Sequence, residues 1–326
     1  MEAALAGSVG RAHAVAVGSG TDALGFALMA LGIGPGDEVV VPDLSFVATA
    51  SAILRVGATP RWADVAPDGL MKPYRGLIGP RTAAVIAVSL YGRPLDASAL
   101  ETFATRHGLA LIEDAAQALG ARRGGRRAGA VGVASCISFD PTKPLAAPGS
   151  GGALLTDDAT VAARVRRLRY HGRDGGASAE LGFNSQLPSI AAASLLVKLR
   201  HEPAWRARRQ AIAATYGAAM DGLDGVALPG PVPGGEHAFS KYVIRARGRD
   251  DLRAKLTAAG VPTRVHYPRA LHAEPLFANC PPPDGEPPGA AELARTVLSL
   301  PMHPFLTDEE VERVGTAIKD AVAERT

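Results

Sequence analysis

Short apolar runs of strand length alternate with longer segments of helical period from Ala14 to about Thr156. AVAVG, EVVVP, PRWADV, AAVIAVS, LALIED and SCISF read as strands, mostly without polar alternation, as expected of strands covered on both faces. Between them TDALGFALMALGI, FVATASAILRVG and DASALETFATRHG carry apolar residues at helical spacing. The first of these stops at Gly32, Gly34 and Pro35, residues that end helices. Strands separated by helices require crossover connections, so the pattern predicts an α/β fold with a mostly parallel sheet. Ligands of such sheets sit beyond the carboxyl ends of the strands, which makes Asp43, Glu113, Asp114 and the residues after SCISF candidates for one crevice.

From about Pro188 the pattern turns helical, with IAAASLLVKLR and a long arginine-rich segment from Pro203 to about Gly222. Beyond the loop LPGPVPGGEH the chain reads as a small α+β unit: strand KYVIRA, helix DDLRAKLTAAG, then VHYP, a proline-rich loop from Pro281 to Pro288 that should be exposed, and two helices. Thr307 and Glu310 have the spacing of a capping box at the start of the last one. The 326 residues therefore divide into a large domain over 1–222 and a small C-terminal domain over 223–326.

Composition narrows the function. Apolar residues make up 47% and charged residues 21%, the balance of a soluble globular chain. Despite a net charge of +3, the arginines are scattered and aromatics are only 5%, which argues against a nucleic-acid binder. The cluster Arg122, Arg123, Arg126 and Arg127 reads as a solvated hairpin turn. Cys136 and Cys280 are too few and too distant for a disulfide framework or metal site, and His171, His266, His272 and His303 have no metal spacing, so a reducing compartment and no metal are expected. Glu2 and Arg11 interrupt the N-terminal apolar runs, leaving no signal peptide or membrane span; the expectation is a cytoplasmic protein.

Three strand ends carry chemistry. Gly18-Ser19-Gly20-Thr21-Asp22-Ala23 joins a strand to a helix, a place to grip a phosphate. Its G-x-G-x-x-A spacing fits a dinucleotide fingerprint with Asp43 as the ribose acid, which would make an NAD(P)-dependent oxidoreductase. The alternative reading of Ser19 to Asp22 is a helix cap, since Ser, Thr and Asp are favoured there. Glu113 and Asp114 are strand neighbours on opposite faces, so only one can enter the crevice, and spacing leaves open which. Lys143, in SFDPTK, lies in a Pro- and Gly-rich loop of a chain in which only six of 35 basic residues are lysine. Unlike arginine, a lysine amine can lose its proton and form a Schiff base with a carbonyl. A phosphate cup, a carboxylate and such an amine are the parts needed to hold pyridoxal phosphate.

With these residues the chain resembles the DegT/DnrJ/EryC1/StrS sugar aminotransferases, pyridoxal-phosphate enzymes of fold type I. The similarity runs from about Ala14 almost to the C-terminus. It is carried by VGSGTDALGFALMALGIGPGDEVVVPDLSFVATA, LIEDAAQALGA, GGRRAGAVG, SFDPTKPL, GGALLTDD, RRLRYHG, LGFNSQL, HYPRALH and LSLPMHP. The resemblance implies that Lys143 bonds the cofactor aldehyde and shuttles the proton, and that Asp114 pairs with the protonated pyridine nitrogen. Gln117 would touch the ring substituents and Phe46 stack on its face. Backbone N–H groups of Thr21 and Asp22 and the hydroxyl of Ser138 would hold the phosphate. Asn184 would reach that phosphate from the other subunit, implying a homodimer, and His266 with Tyr267 would stand at the mouth of the substrate site.

The implied reaction moves an amino group from L-glutamate or L-glutamine to a keto sugar, most often nucleotide-linked, or to a keto-cyclitol. Pyridoxamine 5′-phosphate would be the intermediate form of the cofactor. Relatives with histidine at the lysine position dehydrate instead, so Lys143 points to transamination; a non-catalytic sensor with this fold is the remaining alternative. Some tens of residues that the family places ahead of the equivalent of Glu2 are missing, so either a truncated start or a more open cleft is expected. The segment VAPDGLMKPYRGLIGPRT is shorter than in the family, Ser150 stands where an acid is usual, and Gln186 replaces the arginine of the NSRL motif.

Overall fold

A computed structural model describes residues 1–282 and 285–324. A short first helix, α1 (Glu2–Val9), ends at Gly10 in a left-handed turn and buries Leu5, Ala6 and Val9. Then β1 (His13–Val17), α2 (Gly20–Ala30), β2 (Glu38–Pro42), α3 (Val47–Arg55) and β3 (Thr59–Ala63) follow, with the predicted alternation. Next come β4 (Thr82–Val88), α4 (Ala97–His107) and β5 (Ala110–Asp114). Asp96 caps α4 by accepting from the Ala99 N–H, and Gly108 ends it with φ 66°.

β6 (Arg122–Arg123) and β7 (Arg126–Arg127) form the arginine hairpin. Arg122 pairs with Glu236, Arg123 with Asp96 and Arg126 with Glu101, so these guanidinium groups already meet carboxylates. β8 (Ala134–Ser138) and β9 (Gly152–Thr156) flank the Lys143 loop, and α5 (Ala159–Leu168) starts at the capping residue Asp158. The hairpin of β10 (Arg173–Asp174) and β11 (Ala177–Ser178) precedes α6 (Ser189–Leu199) and α7 (Glu202–Met220).

The central sheet has the order β1-β9-β8-β5-β4-β2-β3. Only the pairs on either side of β9 are antiparallel, so the sheet is mixed but mostly parallel. β2, β8 and β9 are buried along their whole length, which is why their residues read as continuous apolar runs. One face packs on α2, α3 and α5 through Phe26, Leu28, Ile53, Val165 and Leu168. Each such side chain contributes roughly 1.5–3 kcal/mol on burial.

In the C-terminal part, β12 (Val226–Ala227), β14 (Tyr242–Ala246) and β15 (Val297–Leu300) form an antiparallel sheet, while β13 (Gly235–Glu236) joins the arginine hairpin. α8 (Arg249–Ala258), α9 (Pro288–Thr296) and α10 (Asp308–Ala323) complete it, and α10 opens with the expected Thr307–Glu310 capping box. Just before VHYP, Arg264 makes an isolated bridge to Ser299. The expected boundary at 222/223 falls after α7, yet Ile212, Ala213, Tyr216 and Met220 of that helix share a core with Leu252, Leu256, Val314 and Ile318. A second apolar seam joins Leu44, Val88, Leu90 and Tyr91 to Val243, Ala270 and Leu293. Of the proline-rich loop, Pro281 is exposed and Pro287 buried, whereas Pro283 and Asp284 lie outside the described residues.

Candidate active site

β1, β2, β4, β5 and β8 end at one edge of the sheet, where a cavity of about 300 Å³ opens. Thr21, Phe46, Asp114, Gln117, Ser138, Lys143, His266 and Tyr267, all anticipated from the sequence, line it. Ser19 and Gly20 complete the end nearest α2. Glycine is required there on steric grounds: a Cβ on Gly20 would come within 2.8 Å of the Ser138 Cβ, and one on Gly152 would collide with the backbone of Ser19. The first turn of α2 is thereby drawn against the ends of β8 and β9.

The helix cap and the candidate phosphate grip fall on different atoms of that turn. Ser19 Oγ accepts from the Asp22 N–H at 3.0 Å, capping α2. Gly20 and Thr21, the first two helical residues, have no intrahelical acceptor for their N–H groups and sit on the cavity wall. The expectation that Asp22 offers its N–H to a ligand is therefore corrected. Its carboxylate also turns away, accepting from Ser185 at 2.7 Å and pairing with Arg55 at 3.0 Å.

β5 settles the choice between neighbouring acids. Glu113 turns under the sheet, where Ser89 donates at 2.7 Å and the N–H groups of Gly129 and Val131 at 2.8 and 3.2 Å. Asp114 enters the cavity, only 6% exposed, accepting from Thr49 Oγ1 at 2.8 Å and the Ala116 N–H at 3.1 Å. Burial pushes its carboxyl up, against the pull of Thr49, Ala116 and the Lys143 charge. A buried carboxylate with two neutral donors fits a cationic ring N–H beside it.

Lys143 is set by a turn in which its N–H donates to the Asp140 carbonyl at 2.9 Å. The Asp140 carboxylate in turn accepts from the Thr142 N–H at 2.9 Å. Lys143 Nζ stands 5.7 Å from the centroid of the Phe46 ring, itself 48% exposed to the cavity and tilted against Tyr267. Gln117 has a defined orientation. Its Oε1 accepts from the Tyr91 N–H at 3.0 Å, which directs Nε2 toward the Tyr267 hydroxyl at 3.3 Å.

His266 contacts Ser299 Oγ at 2.8 Å through Nδ1; burial, with the charges of Lys241, Arg264 and Lys143, lowers it to about 4, so the ring is neutral at pH 7. Asn184 is not on the wall; it is exposed and bridges to Tyr170. Asp43 is also elsewhere, fully buried and held by His272 at 2.6 Å. That leaves the dinucleotide reading without its ribose acid.

The sequence reading missed two residues of the site. Lys241, immediately before β14, lines the cavity. The scarcity of lysine that drew attention to Lys143 applies to it equally. Thr49 lies in the first turn of α3, and nothing in its local sequence marks it.

The parts fit pyridoxal 5′-phosphate: a helix start and a serine hydroxyl for the phosphate, an acid for the ring nitrogen, a lysine for the aldehyde. The chain is 44% identical over 324 residues to the erythromycin biosynthesis sensory transduction protein EryC1 of Saccharopolyspora erythraea, covering 98% of this chain and 88% of that one. It is 43% identical over 312 residues to dTDP-3-amino-3,4,6-trideoxy-alpha-D-glucose transaminase of Streptomyces venezuelae, covering 94% and 82%. The crystal structure of S. venezuelae DesV in complex with a ketimine intermediate superimposes with a TM-score of 0.95 at 42% identity, over 98% of this chain and 88% of that one. Residues 1–319 match the DegT/DnrJ/EryC1/StrS aminotransferase family, whose cofactor is pyridoxal 5′-phosphate, and the chain belongs to that family.

Proposed function

We propose that this protein is a sugar aminotransferase that carries an amino group from L-glutamate or L-glutamine to a nucleotide-linked keto-deoxyhexose or to a keto-cyclitol. The observation that carries this reading is the convergence of Lys143, Asp114 and the free end of α2 on one cavity. The names of the relatives supply the substrate class: one acts on a dTDP-linked amino sugar. When bound, the cofactor offers a carbonyl carbon that exchanges amines and a ring that accepts the electron pair left by proton removal.

The chain's own residues do the rest. Gly20 and Thr21 would bind the phosphate through their N–H groups, with the Ser138 hydroxyl beside them. Asp114, steadied by Thr49, would hold a proton on the ring nitrogen. Phe46 would cover one ring face, and Gln117, turned by Tyr91, would donate from Nε2 to a ring substituent. Lys143 Nζ would take the proton from the donor carbon and return it to the carbon on the far side of the transferred nitrogen. Leu24, Ala48 and Tyr267 give this corner an apolar wall.

The same reading includes a homodimer, with Asn184 reaching the partner's phosphate site. Supporting it, Leu181, Phe183, Ile190 and Val197 are exposed apolar residues on the segment around Asn184 and on α6. It also groups α7 with the C-terminal unit, because they share a core, and places the protein in the cytoplasm, where Cys136 and Cys280 would stay reduced. No helix among the described residues is long and apolar enough to cross a membrane. A sensory role is the second reading, favoured by the name of the Saccharopolyspora relative. Purified protein should carry a visible cofactor band that L-glutamate converts and borohydride bleaches. A band that forms yet never responds to any amino donor would favour the sensor.

A further inference from the structure

A second amine shares the cavity with Lys143. Lys241 immediately precedes β14, where its N–H donates to the Tyr91 carbonyl at 3.2 Å, and its side chain lines the cavity beside His266 and Tyr267. It also lines a second cavity of about 220 Å³, whose wall includes Arg93, Arg245 and His237. The acid of that wall, Asp68, is already paired with Arg93 at 3.0 Å. Three other lysines have partners: Lys72 meets Asp64, Lys198 the Ala146 carbonyl, and Lys255 both Asp251 and Glu324, while Lys319 stands exposed to solvent. The Lys241 ammonium makes no ion pair or side-chain hydrogen bond among the described residues, although Asp140 acts on it through space.

A largely desolvated cation without a counter-ion is costly, and a ligand that brings the missing anion recovers that cost. Lys143 adds repulsion, since two ammonium groups then face one space. The α2 end of the cavity offers backbone N–H groups suited to phosphate, whereas Lys241 offers a single compact charge on the wall contributed by the C-terminal unit.

We propose that Lys241 is the counter-ion for a carboxylate of the substrate, seated where the two cavities meet. The inference rests on the aminotransferase reading, because amine transfer from an amino acid brings a carboxylate to this site in every cycle. Two sources share the chemistry, the amino donor and an acidic sugar, and the test separates them.

Holoenzyme and its Lys241→Met and Lys241→Arg variants would be titrated by calorimetry with succinate, an unreactive dicarboxylate, and with D-glucuronate, a sugar acid. Cofactor loading, read from the visible band, reports separately on the aminotransferase reading, so a protein that never loads cofactor sinks that reading first. Loss of one charged hydrogen bond predicts succinate binding weaker by about 10- to 100-fold in Lys241→Met, with loading unchanged and recovery in Lys241→Arg. A loss confined to glucuronate would assign the same contact to the acceptor. Unchanged affinity for both acids in a loaded, folded Lys241→Met variant overturns the proposal.

Discussion

Thr49 Oγ1 donates a 2.8 Å hydrogen bond to Oδ2 of Asp114, linking the first turn of α3 to the buried acid of the cavity. Ser45 Oγ lies 2.8 Å from the same threonine oxygen, so the hydroxyls form a short relay. Thr49→Val keeps the shape and removes the donor. Burial would then push the Asp114 carboxyl further up, weakening its hold on a ring proton. The variant should lose about 1–3 kcal/mol in urea unfolding and turn over more slowly; wild-type turnover would show that Asp114 does not act through its charge.

Glu113 and Asp114 separate stability from chemistry. Glu113 is fully buried and holds the Gly129 and Val131 N–H groups near Arg11. Glu113→Ala leaves Ser89 and those two N–H donors unpaired in the core, while Arg11 keeps its Asp157 partner, so we expect a loss of about 3–5 kcal/mol. Asp114→Ala removes a carboxylate that burial disfavours, which offsets part of the loss of its Thr49 and Ala116 bonds, and should abolish amine transfer at a smaller cost in unfolding free energy than Glu113→Ala. Chemical denaturation beside single-turnover absorbance compares the two.

Lys143→Ala should stop amine transfer, while circular dichroism and the melting temperature stay close to wild type, because the side chain makes no ion pair among the described residues. A variant still interconverting donor and acceptor at the normal rate would remove Lys143 from the reaction.

Gly152→Ala places a methyl group against the Ser19 backbone, where nothing flexible can yield. Overpacking of this kind costs typically about 1–3 kcal/mol. It would also shift the first turn of α2, so phosphate affinity should fall along with stability. Gly7→Ala meets nothing within 4 Å and serves as the control.

Burial, and then the charge of Lys143, hold Lys241 down at about 8 against an ordinary 10.5, with Asp140 opposing. Between those values the unfolded chain keeps a proton that the folded chain gives up, so this group's contribution to stability rises with pH from about 8 toward 10.5. Below 8 both states are protonated and the full penalty remains. Relative to wild type, Lys241→Met should therefore be better off at pH 7 than at pH 10. A stability difference independent of pH would contradict the burial of that charge.

The alternation of apolar runs and helical segments determined the α/β class, because the period of burial is a local property of the chain. Glycines, the Ser19 cap and the Thr307 capping box marked element ends for the same reason. Lys143 was legible through composition, as a rare residue where arginine is the habit. Tertiary structure alone decided the rest. It chose Asp114 over Glu113, since two faces of one strand differ only in what packs on them. It assigned the Asp22 N–H to a helix cap, removed Asp43 to a buried pair with His272, and brought Thr49 and Lys241 to the site. Each of these depends on contacts between residues far apart in sequence, and no local pattern encodes such a distance.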